Sequence, residues 1–269
     1  MSFYNNCDFY EIIEDDKITM ITVDLSFISK APIEQNPLSV ILEVKFKLPD
    51  ENGLPGKEDF QTSTNIEDKI IESIENKTTT VMSRFKKLLK LKPKDSTDIF
   101  YVARCFDKGK VDFAFYCKEG YNFEGFCKKL MADFTGYEFN LYHEIDKEWE
   151  FYTDFLYPSP LEFQLISDRN LIDRLEELGD NSEIPRDISY WIYFKNDGSR
   201  QKCLSELLEN GYKFEQNHDL ENEEYNLGIV INKNSLLNLE TASSHSTFLY
   251  EMAEKYDGNY DGWETPVMK

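Results

Sequence analysis

The order of hydrophobic periods over the last third of the chain leaves few folds open. Arg186 to Lys195 alternates, with Ile188, Tyr190, Ile192 and Phe194 on one side of a strand and Trp191 and Tyr193 on the other. The period then lengthens. Cys203, Leu204, Leu207 and Leu208 share a helix face that Asp197-Gly198-Ser199 opens and Asn210-Gly211 stops. Two short strands, 212–215 and 225–231, flank an acidic loop from Asp219 to Glu224. A long helical pattern covers about 236–256, and one more short strand ends the run. Strand, helix, strand, strand, helix, strand is the split βαβ order of a ferredoxin-like (βαββαβ) sandwich with right-handed crossovers. One extra helix precedes it, with Leu171, Ile172, Leu175 and Leu178 inside and Gly179 as its stop.

Two Asp-Gly steps, Asp257-Gly258 and Asp261-Gly262, frame the closing strand. Gly tolerates a positive φ and Asp folds back on its own backbone, so each step predicts a tight turn. The expected local structure is a helix stop at Gly258, a short strand through Tyr260, and a second turn that presents Trp263. An indole placed there serves either as a core plug or as a contact surface.

Ahead of this block the chain is rich in strands. Ile21, Val23, Leu25 and Phe27 alternate, as do Val40, Leu42, Val44 and Phe46, and Asp15-Asp16 suits a turn before the first set. Three strands from residue 8 onward read as an antiparallel meander with one face packed and one mostly wet. Asp50 to Gly56 breaks the sheet. Ile66, Ile70, Ile71 and Ile74 then fall at helical spacing, with Glu67, Asp68, Glu72 and Glu75 outside. Thr78-Thr79-Thr80 predicts an interruption before a second amphipathic piece carrying Val81, Phe85, Leu88 and Leu89. Its basic face, Arg84, Lys86, Lys87, Lys90 and Lys92, reads either as solvated cations near a helix C-terminus or as an anion contact. Interleaved aromatics for base stacking are missing there. Strands at 99–105 and 111–117 join through a hairpin turn at 107–110, followed by a helix at 123–131 and a strand at 137–145. Asp146 then caps a helix with Trp149, Tyr152, Phe155 and Leu156 on one face. The prolines of Tyr157-Pro158-Ser159-Pro160 mark a boundary between two α+β domains, 1–160 and 161–269. The first is an antiparallel sheet with helices packed on it.

Charge narrows the choice of partner. The chain carries a net −21, and residues 161–269 hold 10 Lys/Arg against 22 Asp/Glu, while residues 1–160 hold 20 against 29. Such a field repels phosphates, so direct nucleic-acid binding is not expected and a charged partner should be basic. The N-terminus lacks the basic start and apolar run of a signal peptide, and no apolar run approaches the roughly 20 residues of a membrane span. Five cysteines without a CxxC pair predict reduced thiols in the cytoplasm. His143, His218 and His245 fall on a strand, a loop and a helix with no HExxH or HxxxH spacing, so no metal site is expected. No GxGxxG, phosphate loop or GxSxG occurs, and neither a catalytic residue nor a cofactor is assigned.

Gly179-Asp180, Pro185-Arg186-Asp187, Trp191-Ile192-Tyr193-Phe194 and Tyr260-Asp261-Gly262-Trp263-Glu264-Thr265 make the second domain resemble the regulator of ribonuclease E activity B family over about 165–269. The first domain resembles an uncharacterised family of unknown function found fused ahead of it. That likeness rests on Val23-Asp24-Leu25-Ser26, Gly53-Leu54-Pro55, Phe113-Ala114-Phe115-Tyr116, and Trp149 with Tyr152 through Pro158. The regulator family implies a ferredoxin-like fold, no catalysis, and inhibition of an RNA-processing endonuclease through protein contact. The expectation is a non-catalytic acidic regulator or adaptor whose partner is a protein with a basic surface. Its candidate contact residues are Trp191, Tyr193, Glu221, Glu223, Glu224, Tyr260, Asp261 and Trp263. Two alternatives stand beside it. One is a small-ligand or hydrolytic site in the first domain where Arg104, His143 and Asp24 converge; the other is a toxin-neutralising immunity protein, which shares the acidic balance.

Overall fold

The computed structural model describes residues 6–14, 17–89, 98–221 and 223–269, with 14 and 76–89 described as backbone only. The chain divides into two compact units, Met1–Pro158 and Ser159–Lys269, each built on one antiparallel sheet.

In the first unit the strands are β1 (Cys7–Glu14), β2 (Lys17–Asp24), β3 (Leu38–Lys45), β4 (Ile99–Asp107), β5 (Lys110–Cys117) and β6 (Phe139–Ile145). Their order across the sheet is β1-β2-β4-β5-β3-β6. The expected three-strand meander is therefore only a hairpin: β3 leaves β2 and inserts between β5 and β6. The second strand also ends early. Asp24 accepts the Ser26 N–H at 2.9 Å and turns Leu25–Phe27 into a short 3₁₀ turn. Between β4 and β5, Lys108 and Gly109 both take positive φ, the geometry of a two-residue hairpin loop.

Helices α1 (Lys57–Leu89) and α2 (Phe123–Met131) cover one face, where Ile66, Ile70 and Ile71 meet Val40, Leu42, Phe113 and Phe115. No interruption occurs at Thr78–Thr80; α1 runs through them. β-branched residues lower helix propensity only slightly, and a long helix carries that cost. The basic cluster from Arg84 to Lys92 lies outside the residues whose side chains are described. Glu67, expected outside, is 1% exposed and faces inward. The sheet's other face is not wet either. Tyr116 stacks on Trp149 with ring centroids 3.9 Å apart, and Tyr152, Phe27 and Leu156 are buried with them. Asp146 does cap this segment, accepting from the Glu150 and Phe151 amides, but the turn that follows, Phe151–Leu156, is π-helical. The wider turn brings Tyr152 and Leu156 inward beside Trp149, which precedes it, and leaves Phe155 exposed.

The second unit runs α3 (Pro160–Glu177), β7 (Arg186–Phe194), α4 (Asp197–Glu209), β8 (Lys213–Asn217), β9 (Leu227–Ser235), α5 (Leu239–Lys255) and β10 (Gly258–Glu264). After the extra helix this is βαββαβ, in sheet order β10-β7-β9-β8. The extra helix starts at Pro160, eleven residues before Leu171, the first of the inward residues read from its periodicity. Ser159 accepts the Glu162 amide while the Glu162 carboxylate accepts the Ser159 amide, and Pro160 takes the first helical position, where its missing N–H costs nothing. Ile188, Tyr190, Ile192 and Phe194 pack beneath the helices against Cys203, Leu207 and Leu249, on the expected face of β7. The buried Arg186–Asp180 pair, 2.6 Å apart, gathers the turn after α3 and the carbonyl of Pro266 at the base of the sheet. Arg186 pulls the Asp180 carboxyl below the usual carboxylate range.

Candidate protein-binding face

Alternation along β7 sends Asp187, Ser189, Trp191 and Tyr193 to the face turned away from the helices. The register supplies their neighbours: Gly228 and Asn259 flank Tyr193, Val230 flanks Trp191, and Asn232 and Glu264 flank Ser189. Glu215 joins from β8, accepting from the Ser189 hydroxyl at 2.9 Å. This face is acidic: Asp187, Glu215, Asp261 and Glu264 are all exposed on it, and Trp191 is half-buried.

Tyr193 is held rather than displayed. Its hydroxyl bonds His218 Nδ1 at 2.9 Å, the two rings meet edge to face at 6.0 Å, and the residue is 6% exposed. Burial, and then the charge of Asp261, push its phenol above the ordinary value. His218 is fixed in turn by its amide, which donates to the Gly228 carbonyl at 3.0 Å. Close approach here requires glycine: a Cβ at Gly228 would overlap the His218 carbonyl oxygen and meet the Tyr193 ring at 2.8 Å.

The acidic loop is pinned at both ends. Asp219 accepts from Arg200 of α4 at 2.9 Å, and Glu224 pairs with Lys195, whose ammonium lies 4.5 Å from the centre of the Tyr225 ring. Glu221 and Glu223 are exposed and form no ion pair among the described residues.

At the other edge, the second Asp-Gly step is a bulge and not a turn. Asp261 and Gly262 together oppose the single residue Trp191, with Gly262 at φ 96°, and the strand continues to Glu264. The extra residue reverses the alternation, so Tyr260 and Trp263 both enter the helix-side core. Tyr260 Oη lies 3.2 Å from Ser246 Oγ, and Trp263 Nε1 donates to Asp168 Oδ1 at 2.8 Å. The first step also differs from expectation. Asp257 takes the positive φ, while Gly258 provides space, since a Cβ there would meet the Phe194 ring at 2.7 Å.

The eight candidates therefore divide by position. Trp191 and Asp261 share the face away from the helices, and Tyr193 lies beneath its surface. Glu221, Glu223 and Glu224 sit on the adjoining loop, and Tyr260 and Trp263 are interior. Sequence reading missed Glu215, Asp187, Glu264, His218 and Gly228. The alternation that placed Trp191 would have found Asp187, but the β8 and β10 neighbours depend on register and on the bulge.

The three polar residues singled out in the first domain do not converge. Asp24 caps its turn, and Arg104 donates to Glu67 at 2.7 Å under α1. His143 alone of them reaches a cleft of about 450 Å³, among Leu38, Val40, Phe123 and Leu141. Among the described residues no His, Cys, Asp and Glu group could hold a metal ion, and no helix is long and apolar enough to cross a membrane.

Residues 165–265 match the family described as Regulator of ribonuclease activity B, and residues 5–87 and 75–157 match a family of unknown function, DUF695. A search among curated proteins finds no match. The chain thus belongs to the family of unknown function DUF695 through its first unit and carries, as its second, a domain of the family Regulator of ribonuclease activity B.

Proposed function

We propose that this protein regulates a ribonuclease of the E type by binding it, without chemistry of its own. The contact would be the face of the second sheet turned away from its helices. The observation that carries the reading is the half-buried Trp191 on a face that also carries the exposed carboxylates Asp187, Glu215, Asp261 and Glu264. An indole that gives up its remaining water to a partner supplies apolar contact and a π face for a guanidinium. The surrounding carboxylates favour a partner segment rich in Arg and Lys, the composition a nuclease uses to hold RNA. Glu221 and Glu223 extend the negative field along the loop, and occupying such a basic segment would exclude RNA from it. The family name supports the ribonuclease as target. The five cysteines, four of them buried, form no disulfide among the described residues, which fits a reducing cytoplasmic setting.

The test is the full chain against a ribonuclease E from the same organism, in a binding titration and an RNA-cleavage assay. Wild-type protein is expected to slow cleavage, with affinity falling as salt rises because exposed charges are screened beyond about 8 Å at physiological ionic strength. Trp191→Ala should weaken binding about 30-fold, the scale of a central interface tryptophan. Binding that ignores both salt and Trp191→Ala, or no binding at all, would remove the proposal.

A further inference from the structure

Where α3, α5 and β10 meet, the second unit buries a carboxyl group with no cation beside it. Asp168 of α3 is 0% exposed. Its Oδ1 accepts from Trp263 Nε1 and from Gln164 Nε2, both at 2.8 Å. Its Oδ2 is buried without a hydrogen bond of good geometry among the described residues, although the Ser246 hydroxyl, itself 3.2 Å from Tyr260 Oη, favours the ionised form. Tyr190 adds a second orphan, a buried Oη with no hydrogen-bond partner among the described residues, in a residue 1% exposed.

The titratable groups facing the carboxyl are Tyr190 from β7 and Tyr260 from β10. Burial pushes both phenols above their ordinary value, and the Asp168 charge adds to that, so both are neutral across the ordinary pH range. From α5 comes Ser246; the imidazole of that helix, His245, is engaged by Tyr212 Oη at 2.8 Å. Desolvation lifts the Asp168 carboxyl above the usual carboxylate range, against the donors that oppose it.

A carboxylate confined this way costs free energy that protonation removes, because a neutral carboxyl is far cheaper to hold away from water than a charged one. The alternative is to let water in. α3 precedes the βαββαβ unit and packs on α5, with Ile172 and Leu175 in the core they share, and lifting it is one local opening that would rehydrate Asp168. We propose that Asp168 is a proton-operated latch: protonated, it seats α3 on α5 and β10, and ionised, it loosens that seat and releases Trp263. Trp263 lies just beyond the Asp261–Gly262 bulge. Loosening it therefore reaches the segment that carries Asp261 and Glu264 on the opposite face, whether or not that face binds a ribonuclease.

The sign follows from linkage. The closed state holds its proton more tightly than the open one, so the seat is strongest below the ordinary aspartate pKa of about 3.9 and weakens as pH rises to the raised value. Opening releases one proton within that window, which makes it up to about tenfold easier per pH unit.

Hydrogen exchange of the full chain, followed by mass spectrometry from pH 4 to 9 and corrected for intrinsic rates, reads this directly. Wild-type peptides from 160–177 should lose protection with rising pH and then level off. Asp168→Asn keeps an Oδ1 acceptor for Trp263 and Gln164 but carries no charge; it should show a flat profile and more protection than wild type at pH 8. As a second readout, the Trp263 indole N–H resonance, identified by Trp263→Phe, should shift with pH in wild type and stay fixed in Asp168→Asn. Parallel profiles for the two proteins, or weaker protection of Asp168→Asn at pH 8, would overturn the latch.

Discussion

Arg104→Ala is expected to cost the first domain about 3–5 kcal/mol, the loss seen when one partner of a buried ion pair is removed. Glu67 on α1 is 1% exposed and is held by two groups, Arg104 Nη1 at 2.7 Å and Tyr101 Oη at 2.7 Å. Burial pushes the Glu67 carboxyl up even against both of them, so the balance there is already fine. Taking away the guanidinium leaves a carboxylate with one neutral donor in a dry interface, and it removes the stacking of Arg104 on the Phe106 ring, 4.7 Å away. A whole domain holds together by only about 5–15 kcal/mol, so the substitution consumes a large share of the margin. Urea unfolding followed by hydrogen exchange reads the two domains separately, and the β4 and β5 peptides should shift to lower urea while those of β7 and β9 do not. The double variant Glu67→Leu with Arg104→Met, which replaces the pair by apolar groups, should recover most of the loss. Equal midpoints for wild type and Arg104→Ala would mean that the pair is a bystander.

This pair also marks where the sequence stopped being legible. A helical wheel places Glu67 with Asp68, Glu72 and Glu75 on the wet side, and nothing local reports that Tyr101 and Arg104, more than thirty residues away, will meet it. The same limit hid the path of β3, because its pairing with β5 and β6 is a long-range choice with no signature in its own alternation. The second domain was read more fully. Helices cover one side of β7, which writes a period of two into it, and α4 and α5 open on Asn caps while α3 and α4 stop at Gly179 and Gly211. Two signals there were present and incompletely read. Ser159-Pro160-Leu161-Glu162 is a capping box with proline at the first helical position, and reading its prolines as a domain boundary left the helix start unseen. Asp261-Gly262 read as a turn, although the same residue types make a bulge when both flanking segments stay paired. That single extra residue decides whether Trp263 faces a partner or the core, so the contact surface could not be placed without the register.

Gly228→Ala is expected to disorganise the proposed contact face while leaving the helix-side core in place. The glycine is needed for room: a Cβ would overlap the His218 carbonyl oxygen, which is backbone and cannot swing aside as a side-chain tip would. It would also press on the Tyr193 ring at 2.8 Å. Relief requires β9 and the chain at His218 to separate, breaking the bond from the His218 amide to the Gly228 carbonyl and then the bond from Tyr193 to His218. The cost should fall near the upper end for overpacking, about 3 kcal/mol, since a ladder hydrogen bond is lost with it. The loop carrying Glu221, Glu223 and Glu224 loses its anchor on the sheet, and Tyr193 becomes solvent-exposed. Amides of 217–228 should lose at least tenfold in exchange protection, while those of α5 keep theirs, because Leu249, Met252 and Ala253 pack on the opposite side of the sheet. His218→Ala separates the two causes: it removes the ring that Tyr193 leans on but leaves the backbone pair intact, so the loop should stay protected while Tyr193 opens. If Gly228→Ala exchanged like wild type through 217–228, the close approach of β9 to His218 would not be what holds this face together.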